Sequence, residues 1–218
     1  MALSDDLRSS VGGLWERTVT HPFVTELGEG TLPAGKWDVY FRQDYLFLKP
    51  WIALMCAGVV KAPDFDHARP LAAFVHGALG AEEGMFRDYF REKGLSAEDI
   101  ADLPHLPTSH AQNGFLRQVA RDGSFHEILT TLLGIEWPYL DWAQRLAAAG
   151  KRPADRYYRL WIDIHAGKEL GDFVAWLRTT LDGARIGHVA HLERTFLTTL
   201  RYEYLFWEMA YKGEAWPE

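Results

Sequence analysis

The chain has 218 residues, 48% hydrophobic and 24% charged, proportions that fit one globular domain over residues 1–218 and exclude a disordered segment. Its formal net charge is −7 and its Lys and Arg residues form no cluster, which argues against nucleic acid and anionic membrane surfaces as partners. One cysteine, Cys56, can form no disulfide within the chain and fits a reducing, cytoplasmic setting.

Helical periodicity dominates from end to end, and strand-like alternation is nowhere sustained. Met1 to Arg8 carries Asp5 and Asp6 and no apolar core, so it does not read as a signal peptide. Ser4-Asp5-Asp6 instead caps a first helix that runs to about Thr20. A loop at His21-Pro22-Phe23 and a glycine-rich turn over Gly28 to Pro33 follow. A long helix is predicted from Ala34 to Lys61, kinked by Pro50. Its apolar run, Trp51 to Val60, is too short to span a bilayer. Asp64 caps the next helix, which extends to about Lys93 with bends near Pro70 and Gly80. Ser96-x-x-Asp99 opens a short helix to Leu103, and Leu103 to Thr108 is a loop with two prolines. The remaining helices are read at Ser109–Arg121, Phe125–Ala149, Ala154–Ala166, Glu169–Leu181 and Ile186–Lys212. Seven to eight helices in one domain imply an all-α bundle with a site between facing helices, and globin-like and heme-oxygenase-like bundles both fit the pattern.

Aromatic residues are abundant at 14%, enough to wall a pocket for a flat ligand as well as to fill a core. Against this background three acids stand out. Asp44 has Tyr40, Phe41, Phe47 and Leu48 three and four positions away, a stripe on which a carboxylate is costly to bury. Glu136 sits in Leu132-Leu133-Gly134-Ile135-Glu136-Trp137-Pro138-Tyr139, with Tyr139 on its own face. Glu208 lies between the phenols of Tyr204 and Tyr211, where ring burial would raise its pKa toward a range useful for acid–base work. Glu203 and Glu208 are five residues apart and face different ways, so at most one lines a common pocket. Each acid alone also fits a satisfied structural carboxylate.

Other chemistry has less behind it. Cys56 lies in an apolar run and reads as an inert core residue. No Glu has a His three positions on, as a di-metal bundle requires, and His188 and His191, which share a face, more often sit solvated than ligate a metal. No glycine-rich nucleotide fingerprint and no serine-hydrolase elbow occurs, so no cofactor is expected.

His21-Pro22-Phe23, Gly30-Thr31-Leu32-Pro33, Gln43-Asp44-Tyr45-Leu46-Phe47-Leu48 and Ala62-Pro63-Asp64, together with Tyr204 to Tyr211 near the other end, resemble in order and spacing the TenA (thiaminase II-like) family over nearly the whole chain. The resemblance implies a heme-oxygenase-like bundle without heme, a homotetramer, and hydrolysis at the substituted methyl carbon of a 4-aminopyrimidine in thiamin salvage. It implies Asp44 as the acid that holds the pyrimidine amino group, Phe47 as the ring-packing aromatic, Glu208 as the acid–base group and Tyr139 as a pocket tyrosine. The nucleophilic cysteine usual in the family is absent: Ile135 stands about where it belongs, beside Glu136, as in a branch that uses a glutamate nearby. Gln112 and His165 replace two further pocket tyrosines, and Tyr204 joins the substrate-binding set. The leaving group stays open among ammonia, a formylated amine and a thiazole. Two further readings stay open: an oxidase on the same bundle, metal-dependent or cofactor-free, and a pyrimidine-binding protein without catalysis.

Overall fold

The computed structural model describes residues 2–185, 187 and 189–217, with Ala81 described by its backbone alone. Among these residues there is no strand; in chain order the helices are α1 (Leu3–Ser10), α2 (Gly13–Val19), α3 (Pro22–Glu29), α4 (Ala34–Lys61), α5 (Phe65–Gly77), a π-helical turn (Ala78–Glu82), α6 (Glu83–Glu92), α7 (Ala97–Ala101), α8 (Pro107–Asp122), α9 (Phe125–Ala148), α10 (Arg156–Ala166), α11 (Lys168–Gly183) and α12 (Val189–Lys212). The all-α bundle is the one expected, and the long helices lie where their periodicity puts them. The additional helices are short pieces that local signals create.

Gly12 divides the expected first helix into α1 and α2, because its φ of 53° reverses the chain where an L side chain would be strained. His21-Pro22-Phe23 is a helix start rather than a loop: the His21 ring accepts the Phe23 N–H, and Pro22 occupies the first helical position, where its missing donor costs nothing. Asp64 caps α5 through the His67 N–H, and Ser96 with Asp99 forms the expected reciprocal cap of α7. Pro50 lies inside α4, which continues through it to Lys61. Near Gly80, where a bend was expected, the π turn joins α5 to α6.

Helix α9 is the centre of the bundle. It is buried without a break from Ile128 to Leu140, and α12, α10, α11, α4, α2 and α8 pack around it. A helix apolar on all sides has nowhere to sit but the interior. Helices α4, α10 and α12 supply the next layer, in which Trp37, Tyr40, Phe41, Trp161 and Trp207 interlock through tilted, stacked and edge-to-face contacts. The outer side of α4 is different. Cys56 is exposed there rather than in the core, and Val60 near the end of α4 and Phe65 at the start of α5 are 84% and 85% exposed. No helix among the described residues is long and apolar enough to cross a membrane.

Close approach of α9 and α12 depends on Gly134. A Cβ at this position would lie 2.9 Å from Thr199 Cγ2 and 3.0 Å from Thr199 Cβ. The Thr199 side chain cannot swing away freely, because its hydroxyl donates to the Thr195 carbonyl at 2.9 Å. Overpacking of this kind costs about 1–3 kcal/mol, whereas the better helix propensity of alanine returns at most about 1 kcal/mol. Gly134→Ala is therefore expected to lower the unfolding free energy in a denaturant titration, and a variant as stable as the parent would show that the two helices can move apart.

Candidate active site

A cavity of about 500 Å³ opens between α5 and α11 and runs inward to α9, a size suited to a small heterocycle. Helix α4 contributes Asp44, Phe47 and Trp51, α9 contributes Ile135, Glu136 and Tyr139, and α12 contributes Glu203 and Phe206. Gln112 of α8, His165 of α10 and Glu82 of the π turn complete the inner wall. The mouth is edged by His76, Gly77, Glu169 and Asp172, all exposed. No Lys or Arg lines the cavity among the described residues.

Asp44, Glu136, Phe47, Tyr139, Gln112 and His165 thus share one enclosure. Asp44 is only 8% exposed, and its carboxyl has no hydrogen-bond partner among the described residues. Burial, reinforced by Glu82, Glu203 and Glu136, pushes it well above the ordinary carboxylate range. Glu136 accepts the Trp51 indole N–H at 2.7 Å. Burial nevertheless raises it to about 8, because one hydrogen bond replaces only part of the lost hydration. Tyr139 exchanges a 2.9 Å hydrogen bond with Tyr40. The His165 ring points one nitrogen at the Trp161 carbonyl at 2.8 Å, so Nδ1 carries the proton and Nε2 is left as an acceptor. Burial lowers this imidazole to about 4 and keeps it neutral.

Glu208 and Tyr204 do not line this cavity. Glu208 lies on another side of α12, where Oε1 accepts from the His21 Nε2–H at 3.0 Å and from the Tyr204 hydroxyl at 3.1 Å. Its other oxygen meets Lys212. Burial works to raise its pKa, but the bonds from Lys212, His21 and Tyr204 prevail and lower it, leaving a firmly ionised carboxylate. His21 accepts the Phe23 N–H on Nδ1 and so presents Nε2–H to Glu208, which ties the start of α3 to α12.

The acid of α12 that faces the cavity is Glu203, 2% exposed, its Oε1 accepting from Gln112 Nε2 at 2.8 Å. Burial and the proximity of Glu136 drive it well above the ordinary range. The sequence carries a signal for this choice. Glu203 has Thr199, Leu200, Phe206 and Trp207 three and four positions away, all buried, whereas Glu208 has Lys212 at i+4, the mark of a wetter face. Glu82 carries a weaker signal of the same kind: Met85 and Phe86, three and four positions on, are both buried, while Leu79 on its other side is exposed. Burial raises Glu82 to about 7.

His191 stands apart from the cavity, 2.6 Å from a Glu127 oxygen, and its expected companion His188 lies outside the described residues. Among the described residues no three His, Cys, Asp or Glu side chains are placed to share a metal ion.

An all-helical bundle enclosing an acid-lined, ring-walled cavity is the class of protein that the geometry defines. The chain belongs to the TENA/THI-4/PQQC family, whose pattern matches residues 8–213. It is 30% identical to an aminopyrimidine aminohydrolase of Halalkalibacterium halodurans over 220 residues, covering 99% of this chain and 98% of that one. Its structure superposes on a TenA homologue from P. horikoshii OT3 with a TM-score of 0.89 and 27% identity, over 98% of this chain and 100% of the other. A domain from Shewanella denitrificans OS217 with a heme oxygenase-like fold matches with a TM-score of 0.74 over 96% of this chain and 92% of its own, and at 14% identity it speaks to the fold alone.

The buried acids give stability a pH dependence. Folding raises Glu136 from 4.5 to about 8, so it favours the neutral acid, and the associated stability is lost as pH climbs toward 8. His165, lowered from 6.5 to about 4, acts oppositely and costs stability only as pH falls below 6.5. Between pH 6.5 and 8 the decline therefore belongs to the acids, with Glu136 contributing on the order of 1–2 kcal/mol. Denaturant titrations at these two pH values should show the parent weaker at the higher one and Glu136→Gln with a shallower decline; equal declines would refute the assignment.

Proposed function

We propose that the chain is an aminopyrimidine hydrolase of thiamin salvage, which converts a 4-amino-5-aminomethyl-2-methylpyrimidine to its hydroxymethyl product and releases ammonia. The observation that carries this reading is the enclosure of Asp44, Glu136 and Glu203 with Phe47 and Tyr139 in one cavity without a basic residue. The activity printed for the Halalkalibacterium halodurans relative supports it.

The pyrimidine packs on Phe47, and the Asp44 carboxyl passes its proton to the ring nitrogen beside the exocyclic amine, then accepts hydrogen bonds from that N–H and from the amine, stabilising the charge in the ring as the carbon–nitrogen bond lengthens. No thiol adds to the ring, since Ile135 stands at the cavity wall beside Glu136. Acid–base and electrostatic contributions must then suffice. The side-chain amine arrives as an ammonium and departs as ammonia while a water oxygen bonds to the methylene carbon. Glu203, held protonated by burial, relays the proton: its carbonyl oxygen takes one from the attacking water as its hydroxyl gives one to ammonia. The products are the alcohol and ammonium, and the carboxyl ends as it began. Gln112 orients Glu203, and Glu136, fixed by Trp51, borders the same reacting centre.

Glu203→Gln keeps the shape and removes the relay, so ammonia release from the aminomethyl pyrimidine should fall by about 10²–10⁴-fold. Glu208→Gln, outside the cavity, should leave most of the rate. A parent that binds the pyrimidine without releasing ammonia would make the protein a binder instead of a hydrolase.

The reaction is assigned to the cytoplasm, in keeping with one unpaired cysteine. The assembly is assigned as a homotetramer, with the exposed apolar strip of Cys56, Val60 and Phe65 as one contact between copies. Val60→Glu with Phe65→Glu should shift the protein to a smaller species in size-exclusion chromatography with light scattering; an unchanged mass would place the contact elsewhere.

A further inference from the structure

Glu82 has no part in the chemistry above, yet it is built into the same cavity. It closes the π turn between α5 and α6 and lines the wall with Asp44 and Glu136. Single π turns interrupt helices at a cost in hydrogen-bond geometry and recur at functional sites. Three features mark Glu82 among the cavity acids, the first of them shared only with Asp44. Glu136 is held by Trp51 and Glu203 by Gln112, whereas the Glu82 carboxyl has no hydrogen-bond or ion-pair partner among the described residues. It is the foremost charged neighbour of Asp44 and also acts on Glu136, but it is not among the groups acting on Glu203. Burial raises it only to about 7, against about 8 for Glu136.

The nearby Asp44 side chain is more than nine-tenths buried, unpartnered, and faces the same space. Two acids left without protein partners on one wall call for a ligand with two separate sets of donors. A cation taken into such an enclosure is stable only beside an anion.

We propose that Glu82 is the specificity-determining residue that receives a positively charged amine on the ligand, while Asp44 takes the ring, so that the cavity selects a cationic aminomethyl substituent over a neutral one. The inference rests on the reading of the protein as an aminopyrimidine hydrolase. An ammonium pairs with Glu82 on entry, and a hydroxyl in its place gains much less from the carboxylate. The neutral product is thereby held more weakly than the substrate it replaces.

The test compares ammonia release from 4-amino-5-aminomethyl-2-methylpyrimidine with inhibition by the neutral 5-hydroxymethyl analogue, in the parent, Glu82→Gln and Glu82→Asp. Loss of a hydrogen bond to a charged partner should raise KM for the amine by about 10–100-fold in Glu82→Gln, with a smaller change in kcat and an unaltered Ki for the alcohol. Glu82→Asp keeps the charge and should recover part of the loss, which also guards against a Gln variant that fails to fold. Parallel increases in KM and Ki, or no change in either, would overturn the inference and leave the hydrolase reading intact. A parent protein that neither hydrolyses the amine nor binds either compound would end both together.

Discussion

Desolvation of carboxyl groups governs this structure. Asp44, Glu82, Glu136 and Glu203 surround one space from which basic side chains are missing among the described residues, so none of the four has a countercharge supplied by the protein. Each must then remain protonated or meet a cation from outside. Unpaired ionised acids in such an interior would cost several kcal/mol each, more than a domain of this size can spare. The cavity is therefore stable when empty only as a set of neutral acids, and the same property that makes it tolerable to the fold makes it receptive to a positively charged heterocycle.

The surrounding bundle sustains that condition. Helix α9 carries Glu136 into the centre because its other faces are needed for packing, and among the described residues Trp51 supplies the one donor that reaches the carboxyl. Tyr40 and Tyr139 satisfy each other, and His165 spends its N–H on a main-chain carbonyl. Among the cavity acids, the carboxyls left without a partner among the described residues are those of Asp44 and Glu82, and the wall also leaves Gln112 Oε1 and the Trp161 indole N–H open. Glu208 shows the contrast. One turn and a half along α12 from Glu203, it is ringed by His21, Tyr204 and Lys212 and stays charged. Two glutamates of one helix are shifted in opposite directions by their surroundings alone.

Much of this was legible in the residues. Asp44 and Glu136 stand in apolar stripes at helical spacing, and a lone acid in such a stripe has few places to go. The long helices announced themselves by their period, and Ser96-x-x-Asp99 by its cap. Glu203 was readable but outweighed: the phenols beside Glu208 looked like a pocket, while Lys212 one turn on marked that face as outer. His21-Pro22 was also readable as a helix start, since proline favours the first position of a helix. Glu82 was readable only in part: Met85 and Phe86 lie three and four positions on, but Leu79 three positions before it is exposed and blurs the pattern. The exposure of Cys56 was not readable, for an apolar run looks the same whether its outer side meets the core or nothing in its own chain.

The π turn has one more implication. From Phe65 to Glu92 the chain is a single helical rod with one residue more than a regular α-helix would use at Ala78–Glu82. A surplus residue rotates everything downstream by about 100°. Met85, Phe86, Tyr89 and Phe90 reach the core only in the rotated register. A gene lacking one codon here would encode a smoother rod, but its aromatic side would turn outward and its acid would leave the cavity. Length in this segment is consequently fixed by two demands at once, and insertions or deletions should be far less tolerated there than in the connections on either side.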